Sequence, residues 1–343
     1  MTSQGVVRQT GNHVRGARRV AALDQLVSFV IPVRNDARRL ERCLASITRC
    51  DYPRLRVEII VVDNGSSDGS GSVARAAGAR VIVAPGNSVA ALRNIGARQA
   101  RGEALAFVDA DHEIDPGWIR AATVTLLDPS VGIVGALCHA PANGTWVQQM
   151  YDALRARPAG RREVEWLGSG NMVVRRTVFE RLDGFDSSLE TCEDVDFSQR
   201  VRAGGWRVMS DERLRSVHLG DPPTLAALFF GELWRGRDNL RVSLRAPLSL
   251  RALPSIAIPI VDLAAVVLAI VLAPVAGLAV AAGCLGLLAV LATLRAGRML
   301  GRSRPSRVIE IGQAWLVACV YDVARALALV AGAAHRLRRA TSA

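Results

Sequence analysis

From Leu253 to Leu294 the chain runs for 42 residues with one charged side chain, Asp262. As a single helix this run would reach about 63 Å at 1.5 Å per residue. The hydrocarbon core of a bilayer is only about 30 Å thick. Two passes with a turn near Pro274 and Gly277 therefore fit better than one. A helical hairpin buried in a soluble core would show a polar face, and this run has none. Residues 246–343 are accordingly predicted to be a membrane-associated helical region, with a transmembrane hairpin at about 255–294.

The charge pattern agrees. The formal net charge is +12, and the sequence contains no Lys, so all 43 basic side chains are Arg. Arg241, Arg245 and Arg251 precede the hairpin, Arg295, Arg298, Arg302, Arg304 and Arg307 follow it, and Arg336, Arg338 and Arg339 close the chain. Arginine flanks mark the cytoplasmic side of a spanning segment. The expected location is the inner or plasma membrane, with the N-terminal part cytoplasmic and membrane lipids as partners. No aromatic-rich RNA motif or zinc-ligand spacing points to nucleic acid. The six cysteines form no C-x-x-C pair and read as reduced packing residues. Residues 1–25 read as a basic, flexible tail near anionic head groups.

A further apolar stretch at about 309–334 contains Asp322 and Arg325. An ion at a helix centre costs about 2.5–3.5 kcal/mol on insertion scales. Two opposite charges three residues apart offset part of that cost. The expectation is an interfacial or re-entrant helix in preference to a third full span.

Residues 26–245 alternate strand and helix patterns. Strands are expected at Val27–Val33, Val57–Val62, Arg80–Ala84, Ala104–Val108 and Val131–Cys138. Helices are expected at Asp36–Thr48, Ser70–Ala77, Val89–Ala100, from Pro116, near Arg175–Leu182 and Asp194–Ala203, and at Leu225–Leu240. A further strand is expected at Leu214–Val217. Such alternation means an α/β fold with a mostly parallel sheet covered by helices. The continuous apolar runs match strands buried on both faces.

Ligands of such sheets bind at the carboxyl ends of the strands. Three expected strands end there in polar groups. The first ends in Pro32-Val-Arg-Asn35-Asp36, the second in Asp63-Asn-Gly65-Ser-Ser-Asp68-Gly69, and the fourth in Asp109-Ala-Asp111. Two carboxylates on one strand end build a place for Mg²⁺ or Mn²⁺, which take oxygen ligands and share them with phosphates. Asp63 can accept a hydrogen bond from a base N–H or a ribose hydroxyl. Gly65 and Gly69 allow tight turns. Asp68 or Ser70 can equally cap the next helix.

In order and spacing, four strings resemble the family 2 glycosyltransferases with the GT-A fold. They are Val30-Ile-Pro-Val-Arg-Asn35, Ile59-Ile-Val-Val-Asp63-Asn-Gly-Ser-Ser-Asp68, Arg93-Asn94-Ile-Gly96 and Phe107-Val-Asp109-Ala-Asp111. The resemblance runs from Val27 to at least His218. It implies a Rossmann-like GT-A domain and a nucleotide-diphosphosugar donor. It places Pro32, Asn35 and Asp63 around the nucleoside, Arg93 near the sugar-diphosphate, Asp111 on a divalent cation (Mn²⁺ or Mg²⁺), and Asp109 on ribose, sugar or metal.

Sugar transfer to a hydroxyl needs a base for its proton, usually a carboxylate. Cys192-Glu193-Asp194-Val-Asp196 supplies the candidates and resembles the family's acidic motif. That likeness implies Asp194 as base, with Glu193 beside it. Asp194 in that position also suits a helix N-terminus. Related enzymes place a metal-ligating His where His218 stands. Strand alternation is expected to turn His112 away from the acidic pair. Gly168-Ser-Gly170-Asn171 and Gly184-Phe-Asp186, with Asp196, look like the family's acceptor side.

The Q-x-x-R-W motif of processive synthases is missing. Glu232-Leu-Trp-Arg-Gly-Arg237 stands in that region, which favours a single transfer. The expected activity is membrane-anchored, inverting, metal-dependent transfer of a sugar to a hydroxyl acceptor, such as a lipid-linked glycan or a cell-envelope polysaccharide precursor. A polyprenyl-phosphate acceptor is the alternative, although a phosphate needs no base. A sugar-nucleotide pyrophosphorylase would carry a glycine- and arginine-rich first loop, absent here. A non-catalytic membrane scaffold would not need the acidic set.

Overall fold

The computed structural model describes residues 24–245, 253–276, 278–303 and 308–342. Residues 1–23 of the tail predicted over 1–25, Gly277 of the predicted turn and the arginines at 251, 304 and 307 lie outside them. The chain divides into two compact units. Unit 1 holds residues up to His139 with Pro158–Ser188 and Glu193–Gly220, and unit 2 holds Ala140–Arg157, Leu189–Cys192 and Asp221 onward. The boundary expected at 245 thus falls inside unit 2.

Unit 1 is built on an eight-stranded sheet. Its strands are β1 (Val27–Val33), β2 (Val57–Asp63), β3 (Arg80–Val83), β4 (Ala104–Val108), β6 (Val131–Gly135), β7 (Arg162–Glu163), β8 (Asn171–Arg175) and β9 (Arg207–Ser210), in the order β3-β2-β1-β4-β8-β6-β9-β7. Four of the seven pairings are parallel, and β8 runs antiparallel between β4 and β6. Two short strands, β5 (His112–Ile114) and β10 (Ser216–His218), pair separately and antiparallel.

The sheet is covered on both faces, and alternation along β1 shows how. Phe29, Ile31 and Val33 join a core with α1 (Ala37–Thr48), through Leu40, Leu44 and Ile47, and with Trp118 and Ile119 of α4 (Trp118–Leu126). Val30 faces the other core with Ala90, Leu92 and Ala97 of α3 (Val89–Gln99) and with Phe179, Phe185 and Phe197. Each fully buried side chain of this kind contributes roughly 1.5–3 kcal/mol. Gly96 lets α3 lie against the sheet, because a Cβ there would stand 2.9 Å from the Val62 side chain. The remaining helices of unit 1 are α2 (Ser70–Ala76), α6 (Arg176–Arg181) and α7 (Glu193–Ala203).

Unit 2 is helical among its described residues. It contains α5 (Trp146–Arg155), α8 (Leu225–Arg235), α9 (Asn239–Ser243), α10 (Leu253–Ala276), α11 (Leu278–Ser303) and α12 (Val308–Ser342). Val147 and Tyr151 of α5, Leu228 of α8, Ala292, Ala296 and Met299 of α11 and Val317 of α12 share one apolar core. Within it the buried Glu232 carboxylate accepts from the Tyr151 hydroxyl at 2.6 Å and from Arg235 at 3.1 Å.

Three stretches are long and apolar enough to cross a membrane: Leu253–Leu272, Leu278–Gly301 and Val308–Ala333. The first two match the expected hairpin. The third belongs to α12, one continuous helix of 35 residues. Its charges do not offset each other along the helix as expected. Asp322 pairs with Arg295 of α11 at 2.7 Å, and Arg325 lies 3.8 Å from Glu232.

Candidate active site

The strand ends of unit 1 converge on one edge of the sheet. Val33 of β1 stands opposite Asp63 of β2. After Asp63 the chain turns at Gly65, whose φ of 75° is left-handed, and the Ser66 amide donates to Asp63 Oδ1 at 2.8 Å. Asn35 is also left-handed, with φ of 51°. Its Oδ1 accepts from the Ser67 amide at 2.8 Å, and its own amide donates to Ser66 Oγ at 2.9 Å. Asp68 caps twice, accepting from the Ala37 amide at 2.9 Å and the Ser70 amide at 3.0 Å. The Ser70 hydroxyl and then the Ala37 amide hold its carboxyl below the usual range. The first two loops are therefore locked together, with Asp63 buried between them.

β4 ends at Val108, and Asp109-Ala110-Asp111 forms a turn closed by the His112 amide on the Asp109 carbonyl at 3.0 Å. This turn resets the alternation. His112 opens β5 and is buried beside His218, with ring centroids 4.6 Å apart. The expectation that it faces away is corrected. His112 lies with Asp109 and Asp111 in a group whose ligand atoms fall within 4.8 Å of one another.

Asp111 Oδ2 is 3.1 Å from His218 Nε2. Burial alone would push the Asp111 carboxyl up. The His218 hydrogen bond and charge, with His112 and Arg39, bring it well below the usual range instead. Two ligands about 2.1 Å from one cation, at right angles, stand roughly 3 Å apart, so this spacing suits a shared ion. Two glycines keep the carboxylates clear. A Cβ on Gly170 would stand 2.5 Å from Asp109 Oδ2, and one on Gly220 would fall on top of Asp111 Oδ2. The donor set and the cradle thus fit a divalent cation. A cavity of about 290 Å³ opens beside the pair, lined by Pro32, Arg34, Asp36, Asn64, Asp109 and Asp111 among others.

Arg93 of α3 lies inward, its side chain 3 % exposed. It donates to Asp109 Oδ1 at 2.6 Å and to Glu193 Oε1 at 2.7 Å. Glu193 also accepts from Ser169 Oγ at 3.0 Å. One guanidinium therefore ties the end of β4 to the start of α7. Beside Glu193, Asp194 accepts from the Val195 amide at 2.8 Å and the Ser169 amide at 3.4 Å. Burial, and then the Glu193 charge, push its carboxyl up to about 7. Elevated carboxyl pKa values of this kind suit groups that exchange protons near neutral pH.

The expected acceptor-side residues divide. Gly170 lies at Asp109, as described. Asn171 is buried and spends its amide within the fold, accepting from Trp118 Nε1 at 2.7 Å and donating to the Ala136 and Leu214 carbonyls at 3.1 and 3.0 Å. Asp196 is buried in the first turn of α7 and pairs with Arg200 at 2.9 Å. Asp186 accepts from the Ser188 amide at 2.9 Å in a loop turn. Neither Asn171 nor Asp196 offers its side chain to a ligand in this arrangement; both hold the fold. Sequence reasoning quoted Asn94 in the Arg93-Asn94-Ile-Gly96 string but gave it no role; Asn94 fixes the Phe185 loop by two hydrogen bonds, at 2.7 Å to the carbonyl and 2.9 Å from the amide. Sequence reasoning also gave no role to Ser169, which lies in the Gly168-Ser-Gly170-Asn171 string, and missed Gly220, whose sequence context carries no signal of its own.

Known proteins resemble this chain in sequence and in fold. The chain is 28% identical over 248 residues to glycosyltransferase AglE of Haloferax volcanii, an overlap covering 68% of this chain and 79% of that protein. It is 29% identical over 195 residues to the pre-mycofactocin glycosyltransferase of Mycobacterium tuberculosis, over 53% of this chain and 40% of that one. In fold it resembles the mannosyltransferase PcManGT of Pyrobaculum calidifontis, solved with GDP-Man and Mn²⁺, with a TM-score of 0.57, 21% identity and 86% of each chain covered. Residues 28–182, just under half of the chain, match the glycosyl transferase family 2 model.

Proposed function

We propose that this chain is a membrane-anchored, inverting glycosyltransferase that moves one sugar from a nucleotide-diphosphosugar to a hydroxyl acceptor. The observation that carries the proposal is the Arg93 bridge. It joins the Asp109–Asp111 turn to Glu193-Asp194, so a donor-side carboxylate pair and a candidate base share one edge of the sheet.

In this reading Pro32, Asn35 and Asp63 surround the nucleoside, and the cavity at Asp109 and Asp111 takes the diphosphate and sugar. Asp111 and His218, with Asp109, hold Mn²⁺ or Mg²⁺. The cation, when bound, supplies charge stabilisation for the departing diphosphate. Asp194 accepts the acceptor's proton as its oxygen attacks the anomeric carbon. Its raised pKa leaves it a competent base near neutral pH, where an ordinary carboxylate would be a weak one. Arg93 positions Asp109 and Glu193, and Asn171 and Asp196 fix the loops that carry Gly170 and Asp194.

The acceptor is proposed to be lipid-linked. The three apolar stretches of unit 2 support attachment to a bilayer, and attachment raises the local concentration of a lipid acceptor. The arginine flanks support a cytoplasmic catalytic unit at the inner or plasma membrane. The test is donor turnover against a panel of acceptors. Metal-dependent transfer to hydroxyl-terminated lipid-linked sugars is expected. Exclusive transfer to polyprenyl phosphate would favour the alternative acceptor and remove the need for Asp194. A nucleotide-binding screen with UDP, GDP and dTDP, each with Mn²⁺ or Mg²⁺, identifies the donor base. Lack of binding to any of them would refute the proposal.

A further inference from the structure

Beside the carboxylate pair, unit 1 assembles a second donor set of different chemistry. β5 and β10 pair antiparallel with His112 directly opposite His218, so the two imidazoles share a face. A third strand segment joins them. His139 bridges Val217 in parallel, with the His139 amide on the Ser216 carbonyl and the His218 amide on the His139 carbonyl, both at 2.8 Å. Val217 and His139 lie on one face, so Cys138 falls on the other, with His218 and His112. One ligand atom from each of His112, Cys138 and His218 lies within 4.8 Å of the others. His112 Nδ1 is 3.3 Å from Ser216 Oγ, which orients its ring as the outer hydrogen bond of a metal-binding histidine does.

We propose that His112, Cys138 and His218 form a binding site for a thiophilic divalent cation, with zinc preferred, that shares His218 with the Asp111 site. Two imidazoles and a thiolate are soft and borderline donors, which select zinc over magnesium or manganese; carboxylates select the reverse. Tetrahedral zinc places N and S ligands about 3.5 Å apart, so side-chain movements of about 1 Å close the set. Cys138 and His218 are partly exposed, and an ion reaches them from solvent. On binding, the Cys138 thiol gives its proton to water and the thiolate donates to the metal. A fourth position stays open to water. Because His218 stands 3.1 Å from Asp111, zinc in the soft set draws that imidazole away from the hard one. Zinc then inhibits transfer supported by magnesium or manganese. The site stands independently of the proposed activity; only the inhibition rests on it.

The test uses the full chain in detergent, stripped of metal and titrated with Co²⁺ as a spectroscopic probe. Wild type is expected to develop a thiolate-to-cobalt charge-transfer band that added zinc abolishes. Cys138→Ser is expected to lose the band. In the transfer assay with excess Mg²⁺, Cys138→Ser is expected to raise the inhibitory zinc concentration at least about tenfold, the scale of losing a metal-site contact, with zinc-free turnover unchanged. Absence of the band in wild type, or its persistence in Cys138→Ser, overturns the site. The cobalt spectrum decides even if no acceptor supports turnover, so failure of the site and failure of the proposed activity are told apart.

Discussion

Asp194→Asn separates two consequences of one buried carboxyl. An ordinary aspartate ionises near pH 3.8, whereas burial and the Glu193 charge push this one up to about 7. An acid whose folded pKa lies above its unfolded one contributes stability that is fully present below pH 3.8 and is lost as pH rises through about 7. Raising the carboxyl from 3.8 to about 7 is worth on the order of 4 kcal/mol. The side chain is only partly buried, which reduces this to about 2 kcal/mol. Replacing the carboxyl with an amide keeps an oxygen to accept from the Val195 amide and removes the charge. The variant is therefore expected to be more stable than wild type above pH 8 by about 4–8 °C in Tm, at roughly 2–4 °C per kcal/mol, with the difference shrinking as pH falls toward 5 and vanishing only below about 3.8. Transfer is expected to fall about 10²–10⁴-fold, the usual contribution of a general base, with nucleotide binding retained. Wild-type turnover is expected to rise with pH through about 7. Thermal melts of the purified protein from pH 5 to 9, with turnover at each pH, measure both. Parallel melting curves for the two proteins would refute the burial argument, and undiminished transfer would refute the base.

Three further perturbations follow from the same contacts. Gly220→Ala places a Cβ on Asp111 Oδ2 and is expected to weaken Mn²⁺ binding about 10–100-fold with the melting temperature little changed, read by metal titration. Arg93→Met leaves Glu193 buried without its counter-charge and is expected to cost about 3–5 kcal/mol; Arg93→Lys, whose single ammonium cannot fork to two carboxylates, should recover less than half of it, as thermal denaturation will show. In unit 2, Arg295→Gln and Asp322→Asn each break the 2.7 Å pair and are each expected to cost about 3 kcal/mol. The double variant should cost less than the sum, which a double-mutant cycle in detergent measures.

The strands that end at the site were legible because a strand buried on both faces leaves a continuous apolar run. Val27–Val33 and Ala104–Val108 have the extents read from the sequence. Elements with mixed contacts were less legible. The apolar run from Val131 continues to Cys138, but β6 ends at Gly135, where the backbone of Asn171 crosses so closely that no Cβ fits. The antiparallel strand β8 went unread because its five residues follow a Gly-Ser-Gly turn and precede a helix without an intervening loop. The helix expected to Leu240 stops at Arg235, and a second short helix follows at Asn239–Ser243.

The candidate site was legible in proportion to how local its signals are. Asp109 and Asp111 lie two residues apart, and Glu193 and Asp194 are adjacent, so each pair can be found by scanning a window. The Arg93 bridge spans 100 residues to Glu193, and no window holds both ends. The same limit hid the His112, Cys138 and His218 set, whose members are 26 and 80 residues apart. Zinc-ligand spacing in a sequence works only when ligands sit on one turn or hairpin. Here the set is made by strand register, and register is a property of the folded sheet. A turn of three residues after β4 decides it. Had the strand run straight through Asp109 to His112, His112 and Asp111 would face opposite sides. The turn instead brings both toward His218, and one imidazole comes to serve two donor sets of different hardness. Competition between cations for that imidazole is therefore a direct consequence of where β4 stops.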